Sequence, residues 1–208
     1  MRDPGRPAPG GGGRVKSVAV FASGGGSGLQ AIIDACKSGR LDARVAIVIS
    51  NNSGAFALER ARAEGIPALH MSSRTIGDPG LLEKAMLEAL RESGADAVFL
   101  SGYLKKIGAG ILRAYEGRIL NIHPSLLPRH GGEGMHGLNV HRAVLEAGDA
   151  QTGATVHRVS AEYDAGEIVA QARVQVLPGD TPETLAARVL ALEHGLAVEA
   201  LAGILRGI

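Results

Sequence analysis

The chain has 208 residues, 45% of them apolar and 21% charged, with a formal net charge of +1. That length suits one α/β unit burying well over half of its unfolded surface. The near-neutral balance argues against nucleic-acid or polybasic membrane partners, which need a clustered excess of Lys and Arg, and no apolar run approaches the roughly 20 residues of a membrane span. A single cysteine, Cys36, leaves no intramolecular disulfide and fits a reducing, cytoplasmic setting. Residues 1–14 are rich in Pro and Gly and lack the apolar core of a signal peptide. They read as a disordered leader or an expression remnant, leaving 15–208 as one domain.

From Val15 onward, short β-rich runs alternate with helical stretches. Val18–Phe21 predicts a strand, followed by a Gly-rich turn and a helix over Leu29–Cys36, with Leu29, Ile32 and Ile33 on one face. Val45–Ile49 predicts a strand, Ala55–Glu64 a helix and Pro67–His70 a short strand. Leu81–Glu92 is helical, Ala97–Leu100 an apolar strand, Ile107–Tyr115 a broken helix and Arg118–Ile122 a further strand. This order predicts a doubly wound, mainly parallel α/β sheet. The pattern then changes: a Gly- and His-rich loop, Pro124–Gly137, precedes a helix over Leu138–Ala147. Two β-rich runs, Ala154–Val159 and Ile168–Val176, are close enough in sequence for an antiparallel pair at the sheet edge. Thr181 is placed as N-cap and Pro182 as first residue of a last helix running to about Leu205.

Ser23-Gly24-Gly25-Gly26-Ser27-Gly28 joins the first strand to the first helix, where such sheets present backbone N–H groups to an anion. A P-loop would end in Gly-Lys-Ser/Thr, whereas here Ser27 is followed by Gly28 and Leu29. A dinucleotide fingerprint needs its third glycine where Leu29 stands, and the second strand ends in Ser50-Asn51-Asn52 without an acidic ribose partner. A phosphate monoester is therefore the expected ligand, against the plainer reading of an unliganded turn.

Asn121 and His123 alternate onto one side of their strand, and Pro124 stops the ladder there. That places a carboxamide and an imidazole at the carboxyl end, where open α/β sheets bind ligands. Both can hydrogen-bond an oxygen that gains negative charge, as acyl transfer requires. Read alone, a strand-end His is more often a structural hydrogen bonder. Glu193 falls within the apolar stripe of the last helix, where an unpaired carboxylate is costly, so it needs a cationic partner: either an internal one, Arg188 or Arg60, or a ligand. His123, His130, His136 and His141 lie close in sequence, but no His-Glu-x-x-His spacing or Cys partner accompanies them, and no metal is expected.

The run Asn121-Ile122-His123-Pro124-Ser125-Leu126-Leu127-Pro128 resembles the signature of the formyltetrahydrofolate-using transferases and hydrolases. Ser23–Gln30, Leu29–Cys36, Leu58–Ala61, Gly153–His157 and Tyr163–Gly166 add matches in the same order, from about Val15 to the C-terminus. The resemblance is strongest to the branch acting on glycinamide ribonucleotide. It implies a Rossmann-related fold and transfer of the formyl group of 10-formyltetrahydrofolate to the amine of phosphoribosylglycinamide, a step of purine biosynthesis. Small-molecule substrates only are expected, acted on by a monomer or homodimer.

By the same resemblance Asn121, His123 and Asp164 are catalytic, with Asp164 keeping His123 charged; read without it, Asp164 is a turn residue before Gly166. Ser23–Gly28 (Ser23, Gly24, Gly25, Gly26, Ser27, Gly28) would hold the phosphate. Glu193, Gly102, Ile122 and Pro124 would meet the amine and ribose. Leu100, Leu104, Lys105, Ile107 and Leu112, with Ala161, Glu162, Tyr163 and Asp164, would hold the folate.

Three departures stand out. Gly28 replaces a common Asn, Leu190 replaces a polar or basic residue, and the 129–137 loop is Gly-rich and long. No residue matches the Arg that grips the folate tail, Arg74 and Lys105 being the candidates. A formyltetrahydrofolate hydrolase would be expected to carry an added N-terminal domain, and a methionyl-tRNA formyltransferase an added C-terminal one, for which 208 residues leave no room. Hydrolysis of 10-formyltetrahydrofolate, or non-catalytic binding of a phosphate ligand on the same fold, is the alternative function.

Overall fold

The computed structural model describes residues 14–208. The expected leader thus lies outside the described residues except for Arg14, whose guanidinium pairs with Asp96 at 2.5 Å and so belongs to the fold. The elements run β1 (Lys16–Phe21), α1 (Ser27–Lys37), β2 (Ala43–Ser50), α2 (Phe56–Ala63), β3 (Ala68–His70), α3 (Ser73–Ile76) and α4 (Pro79–Glu92). They continue with β4 (Ala97–Leu100), α5 (Ala109–Ala114), β5 (Ile119–His123), α6 (Leu138–Glu146), β6 (Gln151–Arg158), β7 (Ile168–Gln175) and α7 (Pro182–Arg206).

The seven strands form one sheet in the order β3-β2-β1-β4-β5-β6-β7. Pairings from β3 to β5 are parallel, and β5–β6 and β6–β7 are antiparallel, as the sequence pattern predicts. Helices cover both faces, so the central strands read as continuous apolar runs rather than alternating ones. In β1, Val18 and Val20 pack with Leu29 and Ile32 of α1 and Val189 and Leu201 of α7. Ala19 and Phe21 point the other way, against Met86 and Leu90 of α4 and Ile111 of α5. Each such large side chain contributes about 1.5–3 kcal/mol on burial.

Local chemistry sets the element ends. Pro182 opens α7 and Thr181 and Thr184 form a reciprocal cap, with bonds of 3.3 and 2.9 Å. One detail differs from the sequence reading. The short α3, opened by a Ser72–Thr75 capping box, carries too few residues for a periodic signal. The link between β6 and β7 is longer than a hairpin turn, spanning 159–167, and it carries Asp164 back to the end of β5. Among the described residues no helix is long and apolar enough to cross a membrane.

Candidate active site

Strand order reverses beside β1, whose neighbours are β2 and β4, which opens a crevice at the carboxyl ends of the parallel strands. A cleft of about 710 Å³ lies there, within the range of small-molecule sites. The end of β5 supplies Asn121, Ile122, His123 and Pro124 to its wall. The loop after β4 supplies Gly102, Leu104, Lys105 and Ile107 beside Leu100. Ala161, Glu162, Tyr163 and Asp164 close the opposite side, and Glu193 and Leu190 enter from α7.

Of the residues the sequence singled out, Leu112 does not reach this cleft. It sits on the first helix after β4 and packs against the apolar layer around Ile111 and Tyr115. Arg74 does not line the cleft either, whereas Lys105 does. The glycine loop lies at the same sheet end but outside the cleft wall. Ser23 Oγ donates to Asn51 Oδ1 at 2.5 Å and accepts the N–H of Leu104 at 2.9 Å, tying the loop to the cleft's edge. The N-terminus of α1 has no side-chain cap, and nothing lies within 4 Å of a Cβ built at Gly24 or Gly25. Its leading N–H groups are thus left for an anion.

Asn121, His123 and Asp164 converge. His123 Nδ1 faces Asp164 Oδ2 at 3.4 Å, and its Nε2–H donates to the carbonyl of His130 at 2.8 Å. Asp164, held at φ 53°, accepts the Gly132 N–H at 2.9 Å, and its other oxygen lies 3.4 Å from Asn121 Nδ2. Burial pushes the Asp164 carboxyl up, but the neighbouring His157 and His123 rings and the Gly132 N–H outweigh it and hold the group below the usual carboxylate range. His123 departs from expectation. Burial pushes it below the ordinary imidazole value, assisted by its histidine neighbours, and Asp164 and the His130 carbonyl only partly oppose that. Desolvation is thus the larger influence on His123 in the ligand-free site.

Two histidines belong to this group that the sequence did not mark as such. His157 on β6 pairs in register with Asn121. Its Nδ1–H donates to the Arg158 carbonyl at 2.9 Å, leaving Nε2 to accept from Asn121 Nδ2 at 3.0 Å. The signal was its place on an antiparallel neighbour of β5, which needs the register to be read. His141, on α6, is 4% exposed, lines the cleft and has a buried Nδ1 without a partner. Burial and nearby His123 push its pKa down.

Glu193 finds neither of the internal cations weighed for it. Arg188 pairs with Asp180, and Arg60 caps the Gly25 carbonyl and lies over the Phe56 ring. Without an ion pair among the described residues, its carboxyl is pushed up by burial to about 7. The wall of a cleft is where such a carboxylate meets a cation from outside. Among the described residues no group of three His, Cys, Asp or Glu side chains is placed to hold a metal ion.

The fold and this cleft define a class: an open α/β protein suited to group transfer between small molecules, with hydrogen-bond donors and a carboxylate–imidazole pair at the strand ends. Residues 16–201 match the formyl transferase family, and the chain belongs to it. It is 44% identical to the chloroplastic phosphoribosylglycinamide formyltransferase of Arabidopsis thaliana, over 92% of this chain and 66% of the relative. The chain thus spans just under two thirds of that protein's length. It is 38% identical to the phosphoribosylglycinamide formyltransferase of Escherichia coli, over 86% of this chain and 82% of the relative. The crystal structure of glycinamide ribonucleotide transformylase 1 from Symbiobacterium toebii superposes with a TM-score of 0.87 at 44% identity, covering 93% of this chain and 89% of the other.

Proposed function

We propose that this chain transfers the formyl group of 10-formyltetrahydrofolate to the amine of phosphoribosylglycinamide, in a step of purine biosynthesis. The observation that carries the reading is the meeting of Asn121, His123 and Asp164 in one cleft, with an unpaired Glu193 on its wall. The names of the similar proteins support the same pair of substrates. The chain's single cysteine fits work in a reducing cytoplasm, on small molecules alone, by a monomer or homodimer.

In this reading the phosphate rests on Ser23–Gly28 at the uncapped start of α1. Glu193 receives the amine; Gly102, Ile122 and Pro124 flank the ribose. The folate ring enters the apolar slot of Leu100, Leu104 and Ile107, closed by 161–164, with Lys105 at its mouth. The co-substrate supplies an electrophilic formyl carbon, and the protein supplies position and proton traffic. His123 donates to the formyl oxygen as negative charge grows there. Asp164 favours the imidazolium once ligand has closed off water, and carries the amine's proton toward the departing nitrogen.

For Asn121 to donate as well, its amide turns about χ2. Holding that orientation through His157 takes its other neutral tautomer, with the proton on Nε2 donated to Asn121 Oδ1 and the Nδ1 bond to the Arg158 carbonyl given up. One oxyanion donor accounts for roughly 10²–10³ in rate, and placed proton transfer for roughly 10²–10⁴.

A steady-state assay with 10-formyltetrahydrofolate, with and without phosphoribosylglycinamide, tests this beside His123→Ala. Turnover that requires the ribonucleotide and falls at least about 10²-fold in the variant is expected. Folate turnover without the ribonucleotide would make the chain a hydrolase. Ligand binding without turnover would leave a binding protein.

A further inference from the structure

His123 is gripped from behind by groups that take no direct part in the proposed transfer. Its Nε2–H donates to the backbone carbonyl of His130, not to a side chain. His130 sits at φ 53°, a left-handed conformation disfavoured for any residue bearing a Cβ. What holds it there is Asp149, in the turn between α6 and β6. One carboxylate oxygen of Asp149 accepts His130 Nε2–H at 2.7 Å, and the other accepts Arg129 Nη2–H at 2.5 Å. Ser125 Oγ fixes the Arg129 carbonyl at 2.6 Å. The side chains of Asp149 and His130 are only 12% and 14% exposed, so solvent screens this grip weakly. Both line a separate small cavity of about 300 Å³ rather than the cleft.

We propose that Asp149 and His130 are positioning residues that set the tautomer of His123, acting through the His130 carbonyl. A carbonyl accepts and cannot donate. Its presence at 2.8 Å therefore commits the Nε2 proton and makes Nδ1, opposite Asp164, the nitrogen that gains and loses a proton. Release of the carbonyl lets the neutral ring hold its single proton on either nitrogen, and the wrong tautomer cannot take a proton at Nδ1. The same carbonyl supports the imidazolium against burial. The other titratable groups facing His123 are Asp164, His157 and His130 itself, with His141 from α6. None of these is removed when the grip is broken at Asp149.

The inference rests on His123 being the catalytic imidazole of the proposed transfer, and the test separates the two. Asp149→Ala is assayed for kcat, KM and pH profile, and its His123 ring is read by nitrogen NMR. Asp149→Asn, which keeps an oxygen for His130, serves as the conservative variant. His130→Phe, which keeps the ring's bulk, replaces Asp149→Ala should that chain fail to fold, and is read by the tautomer alone because it also removes a titratable neighbour of His123. Expected are a kcat lowered roughly 10–100-fold, the usual range for loss of an outer-shell partner, with KM nearly unchanged. The limb of the pH profile assigned to His123 moves to lower pH, the ring shows a mixture of neutral tautomers, and Asp149→Asn restores most of each. A folded Asp149→Ala that retains the single Nε2–H tautomer and the parent pH profile overturns the proposal, even if its kcat falls along with its Tm. The NMR readout needs no turnover, so the tautomer result stands even if the chain proves not to transfer a formyl group.

Discussion

Glu193→Gln should make the ligand-free protein more stable at alkaline pH while weakening its hold on the substrate amine. Burial raises the Glu193 carboxyl from the usual 4.5 to about 7. The folded chain therefore binds this proton more tightly than the unfolded chain, and stability falls as pH rises between those values. At about 1.4 kcal/mol per pH unit, the charged form is disfavoured by roughly 3 kcal/mol above pH 7, an upper value because the side chain keeps some water. Glutamine has the same shape and no charge to bury. For a chain of this size each kcal/mol moves Tm by roughly 2–4 °C. The variant should thus melt up to about 6–12 °C higher at about pH 8.5, and level with the parent near pH 4.5. His123 and His141, pushed down by burial, act in the opposite sense: they favour the fold above their unfolded value of 6.5 and lose that contribution in acid. Both chains carry them, so they cancel in the comparison. In the assay, losing a charge-assisted hydrogen bond of about 1.5–3 kcal/mol should raise the KM for the ribonucleotide by roughly 10–150-fold. Equal melting at alkaline pH, or a difference that persists unchanged into acid, would refute the assignment of Glu193 as a buried carboxylate awaiting a cation.

Two further predictions concern close packing around the site. A Cβ at Gly28 would overlap Ser101 Oγ, a hydroxyl that can turn aside about χ1, so Gly28→Ala alone should cost about 0.5–1.5 kcal/mol. Ser101→Gly should relieve most of it, giving a coupling of about 0.5–1 kcal/mol in a double-mutant cycle by chemical denaturation; independent effects would mean that the two residues do not exclude each other. A Cβ at Gly153 would overlap the Ala172 carbonyl on β7, and backbone cannot swing aside. Gly153→Ala should therefore lose about 3 kcal/mol by thermal melting, and an unchanged Tm would disprove the tight β6–β7 approach.

Much of the architecture was legible because hydrophobic periodicity and punctuation by Gly and Pro are local. The strand ending at His123 stops at Pro124, the last helix starts at Thr181-Pro182, and the antiparallel edge follows from two β-rich runs without a helix between them. The Asn121–His123 pair could be placed on one wall from alternation alone. The short α3 was not legible, since four residues carry no period. The path of the 159–167 link was not legible either, because where a loop folds back is set by what it packs against rather than by its length.

Sequence by itself determined the sheet class, the strand-end pair and the family signature, all of which depend on neighbours along the chain. The family resemblance paired Asp164 with His123, but only the tertiary structure decided what else surrounds that ring: His157 through β5–β6 register, and the His130 carbonyl held by Asp149. It also decided the direction in which His123 titrates. Desolvation depends on everything packed around the ring, and no spacing along a chain reports that. For Glu193 the division is the same. Its place on an apolar stripe announced a missing cation, and only the fold revealed that Arg188 and Arg60 are both engaged elsewhere.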